Sequence, residues 1–244
     1  MIPLITPTWS VTKNIHVVST TRLGGVSDGV YQGLNLGDHV GDTSADVGEN
    51  RKRLLDQLGL DQAQWLTQVH GVECVPALTN NILQEADACW TDQANLACIV
   101  MTADCLPVVI TDGHRVAASH AGWRGLADGV LEKTVACFDS PADQLHVWLG
   151  PAIGPLAFEV GSEVKEMFVD YLPQSAECFQ PSLHEDKCLA DLYELARLRL
   201  HALGVLHVTG GEYCTFSDAE RFYSYRRDGV TGRQATIIWR SEAE

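Results

Sequence analysis

Between Ala97 and Gly125 the sequence reads ACIVMTADCLPVVITDGHRVAASHAGWRG, and it carries Asp104, Cys105, His120, Trp123 and Arg124 within a short span. A thiol beside an imidazole supports two kinds of chemistry. The imidazole can hold the thiol as a nucleophilic thiolate, or both can ligate a metal. A second histidine, His70 in QVHG, completes a set of two nitrogens and one sulfur. Three protein ligands plus a water is the pattern of catalytic zinc, whereas structural zinc is closed by four. Zinc held in that way lowers the pKa of its water towards about 7. His70, Cys105 and His120 stand 35 and 15 residues apart, unlike any compact zinc finger, so spacing leaves nucleophile and metal ligand both open. Asp104 reads as an orienting partner for a histidine or as a turn cap. Arg22, Arg124, Arg226 and Arg227 are candidates for holding phosphate or carboxylate.

These groups need rigid elements to bring them together. Ala97–Met101 and Pro107–Thr111 are apolar runs of strand length, and Pro107 blocks a helix between them. Asp112-Gly113 is a hairpin turn pair, and Val116–Ser119 leads back to His120. The hairpin therefore brings Cys105, just before one strand, to His120, just after the other. Trp65–Val69 and Val72–Pro76 read as strands flanking His70-Gly71. Ile15–Thr20 is a first strand. After it, residues 23–42 hold six glycines and no helical period, yet Val26, Val30, Tyr31, Leu34 and Leu36 anchor them. This ordered loop places Arg22 at its start and Asn35 within it; the two are expected to line one pocket, with Arg22 as an anion clamp or an ordinary solvent-facing strand end. Helices are expected from Thr43 or Ser44 to Leu58, from Leu126 to Phe138, from Ser162 to about Tyr171 and from Asp191 to Leu203. Residues 173–186 read as a loop, 222–232 as a basic aromatic turn, and Ala235–Trp239 as the last strand. Hairpins mixed with helices argue for an α+β or layered α/β fold rather than a doubly wound sheet.

The chain has 244 residues, enough for a sizeable core, and with no repeat or linker it reads as one domain over 1–244. Its 45% hydrophobic and 20% charged residues are those of a globular protein. A net charge of −15 makes nucleic acid and anionic membranes poor partners. A small anion remains compatible, because local arginines override the global field. Eight cysteines form no CxxC pair, the start MIPLITPTW lacks a basic leader, and no run of about 20 apolar residues occurs. The expectation is a reduced, cytoplasmic protein whose cysteines mostly fill the core.

Eight segments resemble one family: TRLGG (Thr21–Gly25), NLG (Asn35–Gly37), HVGD (His39–Asp42), QVHG (Gln68–Gly71), TADCLPV (Thr102–Val108), HAGWRG (His120–Gly125), GPAIGP (Gly150–Pro155) and YSYRRDGVTGR (Tyr223–Arg233). Their combination and order are those of the YfiH family, also called laccase-domain, polyphenol-oxidase-like or peptidoglycan editing factor proteins. The resemblance implies a four-layer α/β/β/α domain related to the cysteine hydrolases that include cytotoxic necrotizing factor. It implies a zinc centre at His70, Cys105 and His120, and copper under the older label. It implies phosphorolysis of adenosine, inosine and methylthioadenosine to the base and (methylthio)ribose 1-phosphate, together with adenosine deamination. The partners would be a purine nucleoside and phosphate, with Arg22, Asn35 and Arg124 as the substrate-binding residues, in a monomer or homodimer. The alternatives are a hydrolase editing peptidoglycan precursors with Cys105 as nucleophile, a copper-dependent phenol oxidoreductase, and a non-catalytic metal-binding module. Multicopper chemistry needs many more histidine ligands than this trio supplies.

Overall fold

Along the strand Leu96–Thr102, successive side chains enter two different cores. Ala97, Ile99 and Met101 pack with Leu34, Leu36, Leu54 and Ile237, whereas Leu96, Cys98 and Val100 pack with Val109, Ala118 and Trp148. The same alternation runs along Leu106–Thr111, where Leu106, Val108 and Ile110 face one core and Val109 the other. Strands buried on both faces read as continuous apolar runs, which is why this stretch is so hydrophobic. The computed structural model describes residues 1–9, 11–80 and 82–242.

Two sheets stack to give these cores. One has five strands in the order Leu4–Ile5, Ile15–Thr20, Gln234–Arg240, Leu96–Thr102, Gln62–Gln64. The other has six, in the order His207–Gly210, His146–Leu149, Leu106–Thr111, Val116–Ala121, Ala88–Thr91, Cys74–Pro76. Helix Ser44–Leu58 covers the outer face of the first sheet through Leu54, Leu55 and Leu58. Helices Val130–Val135, Ser162–Tyr171 and Leu192–Ala202 cover the outer face of the second. The result is the expected mixed α/β architecture in four layers, α/β/β/α. Fully burying a side chain such as Leu54 contributes about 1.5–3 kcal/mol.

Local signals set the element ends. Thr43 caps its helix by accepting from the Asp46 amide at 3.2 Å, and Gly59 ends it at φ +66°. The expected helix 126–138 differs. It begins at Trp123 and breaks at Gly129, φ +105°, into Trp123–Asp128 and Val130–Val135, because the first turn docks on the site described below. Residues 173–186 are not a plain loop: Pro173–Cys178 form a 3₁₀ turn, and Phe179–Pro181 pair with Lys187–Ala190 in a small third sheet. Around His70 the strands are shorter than expected, Leu66–Thr67 and Cys74–Pro76. Within 222–232, Tyr225–Asp228 form one helical turn capped by Ser224. All eight cysteines are free thiols; Cys89, Cys98, Cys178 and Cys188 are buried, the other four only partly. Among the described residues no helix is long and apolar enough to cross a membrane.

Candidate active site

Cys105 ends the three-residue link Ala103–Cys105 that carries the chain from one sheet to the other. His120 lies in the next strand, directly opposite Pro107, so the hairpin register brings thiol and imidazole together. His70 arrives from a separate turn and adopts φ +60°. The three residues meet: the Cys105 Sγ is 3.8 Å from His70 Nε2, and ligand atoms of all three lie within 4.8 Å of one another. The two imidazole rings stand edge to face, 4.8 Å between centroids.

One carboxylate organises two of the three. Asp87, fully buried just before strand Ala88–Thr91, accepts from the amides of Val69 at 3.2 Å, His70 at 3.0 Å and Gly71 at 2.6 Å. It thereby shapes the turn that presents His70. Its Oδ1 also meets His120 Nδ1 at 2.7 Å, which leaves Nε2 of that ring for the cluster. The role of histidine orienter thus belongs to Asp87, not Asp104. Asp104 turns away because its carboxylate is taken by Thr215, Ser224 and Arg226. Sequence inspection passes over Asp87, since its partners lie 16 to 33 residues away.

The charges reinforce each other. Burial alone would push the Cys105 thiol up, but the His120 charge and hydrogen bonds from both histidines outweigh it and bring the thiol down to about 6. Burial alone would lower His120, but the Cys105 thiolate and Asp87 raise it to about 9. Asp87 is held below the usual carboxylate range: burial opposes this, and His120 and the amides of the His70 turn prevail. In metal-free protein, Cys105 should therefore alkylate with iodoacetamide at a nearly constant rate down to about pH 6. An ordinary thiol slows tenfold per pH unit below about 8.5. Peptide mapping would separate Cys105 from Cys137 and Cys214, whose thiols are also lowered. A Cys105 rate that falls steadily from pH 8 would contradict the thiolate–imidazolium pair.

Two glycines of HAGWRG let the helix come this close. A Cβ on Gly122 would stand 3.0 Å from His70 Cδ2 and 3.2 Å from Cys105 Sγ. A Cβ on Gly125 would stand 2.6 Å from the Gly71 carbonyl oxygen. Gly125→Ala must push helix Trp123–Asp128 off the His70 turn. Overpacking of this kind costs about 1–3 kcal/mol, or about 2–4 °C of melting temperature per kcal/mol in a chain of this size. A melting temperature equal to that of the unsubstituted protein would refute the close contact.

The trio suits a metal ion. Tetrahedral ligands at ~2.0–2.3 Å from one ion stand about 3.4–3.6 Å apart, so closing the observed cluster takes shifts of about 1 Å or less. The donors, two imidazole nitrogens and a thiol already inclined to ionise, are those zinc prefers, and the cluster opens on one side to a cavity.

That cavity, about 460 Å³, is lined by His70, Cys105, His120 and Arg124, and also by His39, Arg226 and Arg233. Trp123, Ile153, Phe158 and Leu192 supply its apolar wall. Arg124 lies over the Trp123 ring at 4.2 Å, and Arg226 over Phe158 at 5.5 Å. Among the described residues, none of Arg124, Arg226 and Arg233 has a carboxylate within 4 Å, whereas seven other arginines do. In a chain of net charge −15, positive charge is left unneutralised here.

Arg22 and Asn35 are elsewhere, contrary to expectation. The Arg22 guanidinium lies over Tyr223 at 4.8 Å, donates to the Ala219 carbonyl at 3.2 Å and borders a separate surface depression. Asn35 is fully buried, accepting from the amides of Gly37 and Arg233 and donating to Gly37 and Asp42. The first part of the glycine-rich loop folds back on itself at Ser27 and Gly33 and packs on helix Ser44–Leu58 through Asn50, and of the loop it is His39, near its end, that reaches the cavity. Asn35 touches the cavity only indirectly, by holding the backbone of Arg233. Arg227 is spent on Asp228 and on the carbonyls of Thr215, Phe216 and Phe222.

The chain is similar to known proteins along nearly its whole length. Residues 16–241 match a family model described as multi-copper polyphenol oxidoreductase laccase. A purine nucleoside phosphorylase of Pseudomonas aeruginosa is 52% identical over 237 residues, covering 96% of this chain and 97% of its own. The purine nucleoside phosphorylase YfiH of Escherichia coli is 49% identical over 244 residues, covering 98% and 99%. A crystal structure from Neisseria meningitidis superimposes with a TM-score of 0.95 at 46% identity, covering 98% and 99% of the two chains. YlmD from Geobacillus stearothermophilus superimposes at 0.89 with 31% identity, covering 94% and 93%. A shared fold and near-half identity along the whole length mean that this chain belongs to the YfiH, or laccase-like, family.

Proposed function

We propose that this protein is a zinc-dependent purine nucleoside phosphorylase acting on adenosine, inosine and methylthioadenosine in the cytoplasm, and that the same site deaminates adenosine. The observation that carries the reading is the cavity itself: a His70–Cys105–His120 trio at one wall, an apolar wall, and three guanidiniums free of carboxylates. A volume of about 460 Å³ suits a small-molecule substrate. Relatives about half identical along nearly the whole chain are named purine nucleoside phosphorylases.

The chain's own groups divide the work. Arg124, Arg226 and Arg233 hold phosphate, whose charge they match and whose oxygens a guanidinium can grip in pairs. Trp123, Ile153, Phe158 and Leu192 take the flat purine and exclude water from it. Phosphate then stands fixed against the ribose C1′, which removes the entropy cost of a two-molecule encounter. Zinc on His70, Cys105 and His120 would supply Lewis acidity and a water of lowered pKa, the chemistry that deamination at purine C6 requires. Copper fits less well: among the described residues this trio is the one such ligand group, and the multicopper description calls for several.

A second reading rests on the lowered thiol. Asp87 holds the His120 ring, and His120 stands within 4.8 Å of the Cys105 thiol, a carboxylate, imidazole and thiol set that a cysteine hydrolase can use, here on a peptidoglycan precursor. The deciding assay supplies zinc-replete protein with adenosine, with and without phosphate, and follows adenine, inosine and ribose 1-phosphate separately. Ribose 1-phosphate should form only with phosphate and in an amount equal to adenine plus hypoxanthine, the base released from inosine, while deamination to inosine should proceed in either case. Absence of phosphate-dependent base release from every purine nucleoside tried would overturn the phosphorylase reading.

A further inference from the structure

Asp104 stands next to Cys105 in a conformation that side-chain-bearing residues rarely adopt, φ +95°. Such conformations persist where the surroundings over-determine them. Here they do. Oδ1 accepts from Thr215 Oγ1 at 2.6 Å; Oδ2 accepts from Ser224 Oγ at 3.0 Å and from the Arg226 amide at 2.7 Å. The Asp104 carbonyl accepts from the Ile153 amide at 2.9 Å. A turn between two strands needs none of the three carboxylate contacts, which come from 111 to 122 residues further along the chain.

These contacts converge on Arg226. Its amide is held by Asp104, and its Nη1 donates to the Glu159 carbonyl at 2.8 Å, so the residue is tied at both ends while its guanidinium lines the cavity. Ser224 relays the same restraint: its hydroxyl donates to Asp104 and accepts from the Arg227 amide at 3.2 Å, fixing the turn Tyr225–Asp228. The residue adjoining the thiol thus sets where the far wall of the cavity stands.

We propose that Asp104 is a positioning residue that fixes Arg226 at a set distance from Cys105, so that phosphate is gripped beside the reacting centre. The proposal rests on reading the cavity as a phosphate site. It runs against simple electrostatics, because a carboxylate near an anion site weakens it. Two substitutions separate the effects. Asp104→Gly and Asp104→Asn both remove the negative charge, and both residues tolerate positive φ. Asparagine keeps all three contacts: its carbonyl oxygen accepts from Ser224 and Arg226, and its amide donates to a Thr215 hydroxyl that turns to accept. Glycine keeps none.

Calorimetric titration of zinc-loaded protein with inorganic phosphate, without nucleoside, reads the difference. Asp104→Asn should bind phosphate as tightly as the unsubstituted protein, or more tightly. Asp104→Gly should bind about tenfold or more weakly, with zinc content unchanged. If Asp104→Gly does not fold, Thr215→Val replaces it: it deletes one of the three donors outside the cavity and should weaken phosphate about threefold. Glycine and asparagine variants of equal affinity, or an unchanged Thr215→Val where that variant stands in, would overturn the positioning role and leave the phosphorylase reading in place. No phosphate binding by the unsubstituted protein would overturn both.

Discussion

Cys105→Ala should abolish turnover while the protein stays folded. The thiol sits in a link between sheets, only partly buried, with its neighbours held by backbone pairing on either side. Losing so small a side chain costs about 1 kcal/mol. Losing a ligand or nucleophile at the reacting centre costs about 10³-fold or more in rate. Nucleoside turnover measured beside a melting curve checks this, and turnover within tenfold of the unsubstituted protein would remove Cys105 from the mechanism. A strong chelator then separates the two readings of the thiol. The zinc reading expects activity to disappear on chelation and return with added zinc. The hydrolase reading expects activity to survive in demonstrably metal-free protein, with thiol reagents blocking it and substrate protecting. Full-rate adenosine deamination by metal-free protein would exclude zinc from that reaction.

Asp87→Ala should be the most destabilising single change at the site. It would strip the partner from three amides of the His70 turn and from the His120 ring in a fully buried place. Breaking a buried charged pair costs about 3–5 kcal/mol, which for this length lowers the melting temperature by about 6–20 °C. Asp87→Asn is the milder probe, because one oxygen still accepts from the turn. Loss of an outer partner to a ligating histidine lowers metal affinity about 10–100-fold. Asp87 also sets the backbone of His70, so the larger figure is expected. Zinc affinity by competition with a chromophoric chelator measures it. Affinity within about twofold of the unsubstituted protein would show that His70 and His120 hold their geometry without the carboxylate.

Much of this protein is legible in the chain because the controlling interactions are local. The apolar runs Ala97–Met101 and Pro107–Thr111, the Asp112-Gly113 turn and the caps at Thr43 and Gly59 act over a few residues. A hairpin's register follows from its turn, so the meeting of Cys105 and His120 was also readable. Tertiary structure decided the rest. Arg22 and Arg233 are alike as side chains, and only the folding of the glycine-rich loop onto helix Ser44–Leu58 sends one to a separate depression and the other into the cavity. Asp87 and Asp104 are both carboxylates near a strand end, and either could orient a histidine. Contacts from residues 16 to 33 positions away give that task to Asp87, and contacts from 111 to 122 positions away tie Asp104 to the arginine wall. The nature of a side chain is written in the sequence, but the work done by a carboxylate or a guanidinium depends on which donors and acceptors surround it, and those are supplied by strands and loops that meet only once both sheets have stacked.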